Sequence, residues 1–573
     1  MVNVKNLFGM AVMATALVGC SSNDNLAPDG KDNAGKPGEA YASFTINLPT
    51  TTGNGTRGDG DEAIKDGTPS FDEGTAKEYE VKNGTILIFD KDGKYVTSAQ
   101  LGTMNPWTPV KTEGVTTAAI TTVQLSGVKV GGNYQALVLL NNDVDATTSK
   151  VTLPATGTPY ATWSAKASNV NAEKYASTDG IFMANAPMYT GTTTEPTTLV
   201  PIANVCASRE EAQAKAATTV YVERGLAKVT MQKFTDGGYK VAEGTYKNDK
   251  VEIKNWQLDV TNKSTFPIHQ TGDLSTGFDA IWSTARFFDG ANTKFQRVYW
   301  GTDPNYSGAT LQNLEACKKA FTMIGKNDIK GKTGNDHPQY CLENTFDLSN
   351  MMQGQTTRVV FKAVYTPSAL VGTTEKTFYK IGNNTAIWKK ADLEEQIHTV
   401  AVTAMGITDA TEQAKYVVKL DAADNNISGE AGQHLIKAEN ITYTGEGTSQ
   451  VNPNVVNTIN EKLGLKEEGG KITSGIATYL DGVTYYIARI KHFNELTPWT
   501  VGEGYGTKND KYLGRYGVLR NNWYDLSVTS ISGLGYPEVP EVKPTVPDDE
   551  NEQYINVEVK ILSWAKRSQQ IKL

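Results

Sequence analysis

Two segments, one near each end of the chain, alternate strictly between apolar and polar residues, and no other feature constrains the fold as much. Residues 41–48 read YASFTINL, with Ala42, Phe44, Ile46 and Leu48 on one face and Ser43, Thr45 and Asn47 on the other. Residues 554–561 read YINVEVKI, with Ile555, Val557, Val559 and Ile561 on one face and Asn556, Glu558 and Lys560 opposite. Successive side chains of a strand point to opposite faces, so this pattern predicts two half-buried β-strands. The first is followed by the Gly-rich tract TTGNGTRGDGDE, which holds one basic residue, Arg57. A chain cut in that tract would shed its first strand. The second strand, beyond a Pro-rich spacer, could then serve a neighbouring molecule, and subunits built this way join head to tail. Two plainer readings compete: the last strand packs on its own domain, and Arg57 is an ordinary loop arginine.

The extreme N-terminus predicts where the chain goes. Lys5 supplies a positive start, residues 7–16 are apolar, and Leu17-Val18-Gly19-Cys20 follows. A bilayer core of roughly 30 Å needs ~20 apolar residues to cross it, so this run reads as a signal peptide. Its ending resembles a bacterial lipobox, which would make Cys20 the lipidated first residue of the exported chain. The alternative is an ordinary secretory signal with a chance cysteine. Acyl chains contribute ~0.8 kcal/mol per buried methylene, enough in combination to hold the precursor on the outer membrane.

A length of 573 residues suits about two or three domains. The net charge of −8 offers no basic surface for nucleic acid. After Cys20 only Cys206, Cys317 and Cys341 remain, so at most one disulfide can form and packing must supply stability. Cys317 falls at helical spacing with Leu311, Leu314 and Phe321, the pattern of a buried core thiol.

Turn signals divide the rest into short strands. Strands are predicted at 85–89 and 94–96 around the turn Asp90-Lys91-Asp92-Gly93, and at 134–140, where a continuous apolar run marks a central strand. Residues 220–231 read as one strand, and 256–260 as the last of a first set ending near 270. A second set is predicted at 358–365, 377–381, 416–420, 482–490 and 523–530, with short helices at 311–321 and 454–463. Many strands with few short helices make an all-β protein of two β-sandwiches. The expected division is a signal peptide at 1–19, a propeptide at 20–57, sandwich domains at 58–270 and 271–536, and an arm with the last strand at 537–573. Pro537, Pro540, Pro544 and Pro547 favour an extended arm kept in water by its acidic run.

Motifs for chemistry are weak. Gly30-x-x-x-x-Gly35-Lys36 is followed by Pro37 and has no preceding strand, so it does not match a phosphate loop. Asp90-x-Asp92-Gly93 lacks the spacing and the terminal glutamate of a calcium loop. Arg57-Gly58-Asp59 spells an integrin-type tripeptide that a cut after Arg57 would destroy. The five histidines, His269, His337, His398, His434 and His492, show no metal-ligand spacing, and no nucleophile signature surrounds any of them. No catalytic residue, metal or cofactor is expected. Tyr299, Trp300 and Tyr306 are the candidates for an exposed aromatic ligand site.

The chain resembles the Bacteroidales fimbrillins, the type V pilins, most of all those of the minor fimbriae of Porphyromonas. The resemblance is carried by Leu17-Val18-Gly19-Cys20, by YASFTINLPT with Arg57 after it, and by VYVERGLAKV at 220–229. It continues in YCLENT at 340–345, RNNWYDL at 520–526, and the Pro-rich arm with VEVKILSW at 557–564. It implies two transthyretin-like sandwich domains, lipidation at Cys20, and a cut between Arg57 and Gly58 by an arginine-specific surface protease. The groove left by residues 41–48 would then accept Ile555, Val557, Val559 and Ile561 of another copy. Implied partners are further copies, accessory fimbrial subunits and host or bacterial surface ligands. A tip adhesin or surface-anchored binding lipoprotein on the same scaffold is the alternative to a structural pilin.

Overall fold

The computed structural model describes residues 39–49, 75–101, 109–112, 115–142, 150–169, 172–177, 180–189, 197–271, 296–297, 300–306, 311–346, 350–382, 384–420, 432–447, 451–492, 516–548 and 555–563. The first half contributes β1 (Glu39–Pro49), α1 (Ala76–Tyr79), β2 (Gly84–Asp90), β3 (Tyr95–Gln100), β4 (Pro109–Thr112), β5 (Val115–Ser126), β6 (Tyr134–Leu140), β7 (Met183–Asn185), α2 (Arg209–Ala214) and β8 (Thr218–Arg224). These strands run in the order β3-β2-β6-β7-β8-β1-β5-β4. β8 turns the corner of the sandwich. Its residues 218–221 lie parallel to 44–47 of β1, and 222–224 lie antiparallel to β7.

Alternation then does its work on both layers. Ala40, Ala42, Phe44 and Ile46 of β1 meet Val123 and Leu125 of β5, Ile86 and Ile88 of β2, and Ala136, Val138 and Leu140 of β6 in one core. The opposite faces of β2 and β6, through Leu87, Phe89, Leu137 and Leu139, are covered by Trp163, Tyr175 and Phe182. β6 is therefore buried on both sides, which is why its apolar run is unbroken. The β2–β3 hairpin forms as its turn chemistry predicts: Asp90 Oδ1 accepts from the backbone N–H groups of Asp92 and Lys94, each at 2.9 Å. Gly93 takes the positive φ of 73° that the turn needs.

The second sandwich is built from β9 (Ala227–Met231), β10 (Lys250–Asp259), β11 (Gln339–Cys341), β12 (Arg358–Thr366), β17 (Val483–Arg489), β18 (Asn522–Ile531) and β19 (Ile555–Ser563), with helix α3 (Leu314–Ala320) beside it. One sheet is β11-β9-β18-β19 and the other contains β10-β12-β17. Their shared core includes Val229, Met231, Trp256, Phe361, Tyr486, Tyr524 and Leu526.

Two expectations are corrected here. The run 220–231 is not one strand: it breaks at Gly225, and β8 and β9 belong to different sandwiches. A Cβ on Gly225 would stand 3.1 Å from the Phe182 ring and 3.2 Å from the Tyr175 ring, so the crossing chain passes where a side chain would crowd both. Trp256 does not close the first set either, because β10 pairs with β12. The chain first crosses to the second sandwich at 224–227, and residues 264–268 touch the first again, with Thr265 paired to Ser168 and Ile268 in the core of Trp163 and Phe182. Alternation marks a strand but is silent about which sheet receives it.

Between β12 and β17 lies an insert absent from the sequence reading as a unit: β13 (Phe378–Ile381), α4 (Lys390–Ala404), β14 (Tyr416–Val418), β15 (Ile441–Tyr443), α5 (Pro453–Lys462) and β16 (Ile476–Tyr479). Leu393, Ile397 and Ala401 of α4 and Val456 and Ile459 of α5 close a separate core over Ile381 and Ile476. Helix α5 carries its Asn452 cap, which accepts from Asn454 N at 2.9 Å, and stops at Gly464 with φ 73°. Cys206, Cys317 and Cys341 are buried free thiols; burial pushes Cys317 up to about 11 and Cys341 up to about 12.

Candidate functional site: an enclosed strand and an edge strand

β1 is held from four directions. Along one edge it pairs antiparallel with β5 from Glu39 to Pro49, and along the other it pairs in parallel with β8. Its inner face, Ala40, Ala42, Phe44 and Ile46, is fully buried. At ~1.5–3 kcal/mol for a large apolar side chain, Phe44 and Ile46 alone account for several kcal/mol of burial.

The outer face is covered by a feature missing from the sequence reading, the loop of Cys206 and helix α2. Tyr41 N donates to Cys206 O at 2.9 Å and Cys206 N to Tyr41 O at 2.8 Å. The Arg209 guanidinium stands 5.8 Å from the centre of the Tyr41 ring and donates to Thr122 O at 2.8 Å. Ser43 Oγ donates to Ala212 O at 2.8 Å and lies 2.8 Å from Thr122 Oγ1. Asn47 hydrogen-bonds the Tyr221 hydroxyl, whose pKa burial raises. The one legible signal for this clamp was the helix start at Ser208, whose hydroxyl accepts from Glu211 N at 3.2 Å.

β19 sits at a sheet margin. It pairs with β18 along one side, in the register Tyr524↔Ile561, Leu526↔Val559, Val528↔Val557 and Ile531↔Ile555. In the described sheet β18 is its one neighbour. The four residues expected to fill a foreign groove thus lie on the chain's own second sandwich in this structure.

The arm before β19 differs from the solvated spacer expected of it. Buried Arg358 donates from Nε to Asp259 Oδ2 at 2.7 Å and from Nη2 to Pro540 O at 3.0 Å. Arg489, its cross-strand partner, donates to Asp548 O at 3.2 Å. Val542 joins the core of Leu311, Cys317 and Phe321, and Asp548 is buried. Prolines leave their carbonyls free as acceptors, and two buried arginines use carbonyls of this segment.

Cys20, Arg57 and Gly58 lie outside the described residues, as does Tyr299. Trp300 is buried, packed edge-on against Phe346 at 5.9 Å, and Tyr306 donates to Gln355 O. Neither forms an exposed aromatic site. His269 is buried with Nδ1 at 2.6 Å from Glu223 Oε1, and His492 lies 2.8 Å from the Tyr524 hydroxyl. Among the described residues no group of three His, Cys, Asp or Glu side chains is arranged to hold a metal.

The described chain thus combines an all-β scaffold with one enclosed strand, β1, and one marginal strand, β19. Residues 477–570 match the family described as major fimbrial subunit protein type IV, fimbrillin, C-terminal. Over that region the chain is similar to the fimbrillins. No curated protein matches the sequence significantly. Among solved structures the chain is similar to a candidate cell adhesion protein from Parabacteroides distasonis, at 9% identity and TM-score 0.37, covering 93% of this chain and 99% of that one. It is also similar to a fimbrial assembly protein from Parabacteroides distasonis, at 14% identity and TM-score 0.27, covering 61% and 94%. The fimbrial anchor protein Mfa2 from Porphyromonas gingivalis matches at 10% identity and TM-score 0.19, covering 56% and 78%.

Proposed function

We propose that this chain is a polymerising structural subunit of a bacterial surface fimbria. It is exported as a lipoprotein through Cys20, cut between Arg57 and Gly58 by an arginine-specific surface protease, and joined to its neighbours by strand exchange. The cut separates β1 from the folded body, and the strand carrying Ile555, Val557, Val559 and Ile561 of another copy takes its place. The fimbria supports adhesion and colonisation, with accessory subunits and host or bacterial surface ligands as further partners.

One observation carries the reading: β1 has a hydrogen-bonded neighbour on each side, whereas β19 has one. A strand moving from a margin to the vacated slot exchanges one ladder for two. Each added ladder bond contributes ~1 kcal/mol net, offset in part by the contacts to Arg358 and Arg489 that the arm gives up on leaving its own sandwich. A sheet stripped of an interior strand exposes unpaired backbone on both sides of the gap and is primed for β-augmentation. Sheared surface fibres should begin at Gly58 by N-terminal sequencing. A blocked, lipidated cysteine at the start of fibre subunits would refute the cut, and an Arg57→Ala chain that polymerises normally would refute its role.

A further inference from the structure

The enclosed strand and the terminal strand share an alternating pattern and two identical residues. Residues 39–48, EAYASFTINL, and residues 552–561, EQYINVEVKI, align without a gap. Glu39 falls on Glu552, Tyr41 on Tyr554, Ser43 on Asn556, Phe44 on Val557, Ile46 on Val559 and Leu48 on Ile561. Resting on the exchange just described, we propose that the strand of a second copy enters the slot in the direction and register of β1, with Tyr554 in the place of Tyr41 and Asn556 in the place of Ser43.

Helix α2 is the element that reads this register. When β1 leaves, Ala212 O and Thr122 Oγ1 lose Ser43, and both lie in a covered site, Ser43 itself being 6% exposed. Whatever replaces Ser43 must donate to a carbonyl and meet a hydroxyl without burying a charge. An asparagine amide carries both a donor and an acceptor. Moving the strand by two residues one way would put Glu558 there, a buried carboxylate with nothing to donate. Moving it two the other way would put the Tyr554 ring beneath Ala212, where a serine now fits.

The other positions agree. Tyr554 would lie under Arg209 as Tyr41 does. Glu558 would replace Thr45, which is half-buried. Lys560 would replace Asn47, which is 7% exposed, and its ammonium needs both the Tyr221 hydroxyl as acceptor and the reach of its long stem towards water. On the inner face Ile555 meets the Ala42 site and Val557 the Phe44 site. Together they carry nearly the side-chain carbon of the pair they replace, displaced along the strand, so the groove must repack but need not swell. Gln553 falls on the buried Ala40 site, so the seated stretch begins at Tyr554.

The register is tested by trapping. Ser43 and Thr122 are direct cross-strand partners, so a cysteine at 556 should reach a cysteine at 122 of the next subunit. Subunits carrying Thr122→Cys are mixed with subunits carrying Asn556→Cys, cut, polymerised under reductant and then oxidised. The expected result is a covalent dimer band for this pair, at least tenfold over Thr122→Cys mixed with Tyr554→Cys or with Glu558→Cys. Trapping at 554 or 558 instead, or fibres that trap at none of the three, overturns the register and leaves strand exchange standing. Cut wild-type protein that makes no polymer sinks the exchange itself. Should the 556 cysteine block joining, Asn556→Ser and Asn556→Leu decide: serine should keep wild-type resistance to denaturant and leucine should lower it, and the reverse order overturns the register.

Discussion

Lys228 Nζ lies 2.8 Å from Glu78 Oε1 and 3.6 Å above the Trp523 ring, with both charged side chains almost wholly buried. The Tyr340 hydroxyl donates to the same Oε1 at 2.7 Å, and Arg224 Nε donates to Glu78 O at 2.9 Å. Helix α1 thereby ties the stretch that follows the Arg57 tract to the place where the chain crosses from one sandwich to the other. Asn521 reinforces the crossing by donating from N to Leu226 O at 2.7 Å and accepting from Arg224 N at 3.2 Å.

Glu78→Gln keeps the shape of the side chain and removes its charge, leaving a buried ammonium without its counter-ion. Loss of one partner of a buried pair costs about 3–5 kcal/mol. Urea unfolding should show a loss in that range. A change under about 1 kcal/mol would mean that the aromatic face and Tyr340 suffice.

Phe44→Ala should destabilise the uncut chain by about 3–5 kcal/mol, the usual cost of emptying a buried phenylalanine site. Fully cut polymer should not respond, because residue 44 is no longer part of it. Equal losses before and after the cut would show that β1 stays bound.

Asp259→Asn weakens the hold of Arg358 on the arm, since the guanidinium loses the carboxylate that fixes it. Limited proteolysis should then cleave within 537–548 several-fold faster than in wild type, a loosening expected from disrupting a buried pair. The same variant should join polymers faster if release of the arm limits assembly.

Asp303 gives a pH dependence with a definite sign. Burial, the largest cause, raises its pKa from 3.8 to about 7 against the opposing hydrogen bonds from Asn305, and Glu343 adds to the rise. The folded chain holds this proton more tightly than the unfolded one. Its contribution to stability is complete below about pH 4 and is lost as pH rises to about 7. Asp303→Asn should flatten the difference in urea midpoint between pH 5 and pH 8.

Much of the fold was legible because strand faces and turns are local. β2, β3, β6, β12, β17 and β18 follow from runs of a few residues, and the Asp90–Gly93 turn from its own side chains. Helix α4 was legible in principle, since Leu393, Ile397 and Ala401 recur at helical spacing. The clamp over β1 was not, because Ala212 and Arg209 meet Ser43 and Tyr41 only after the chain has built most of a sandwich between them.

By itself, then, the order of residues predicted strands at 41–48 and 554–561 and which side of β1 is apolar, since a two-residue period is a property of the local chain. It also carried the likeness between the two. Only the tertiary structure decided that β1 lies inside a sheet and β19 at a margin, that 220–231 is split between two sandwiches, and that the proline arm is bound by Arg358 and Arg489. Those outcomes depend on which distant groups compete for the same buried space, and burial is settled by the whole chain at once.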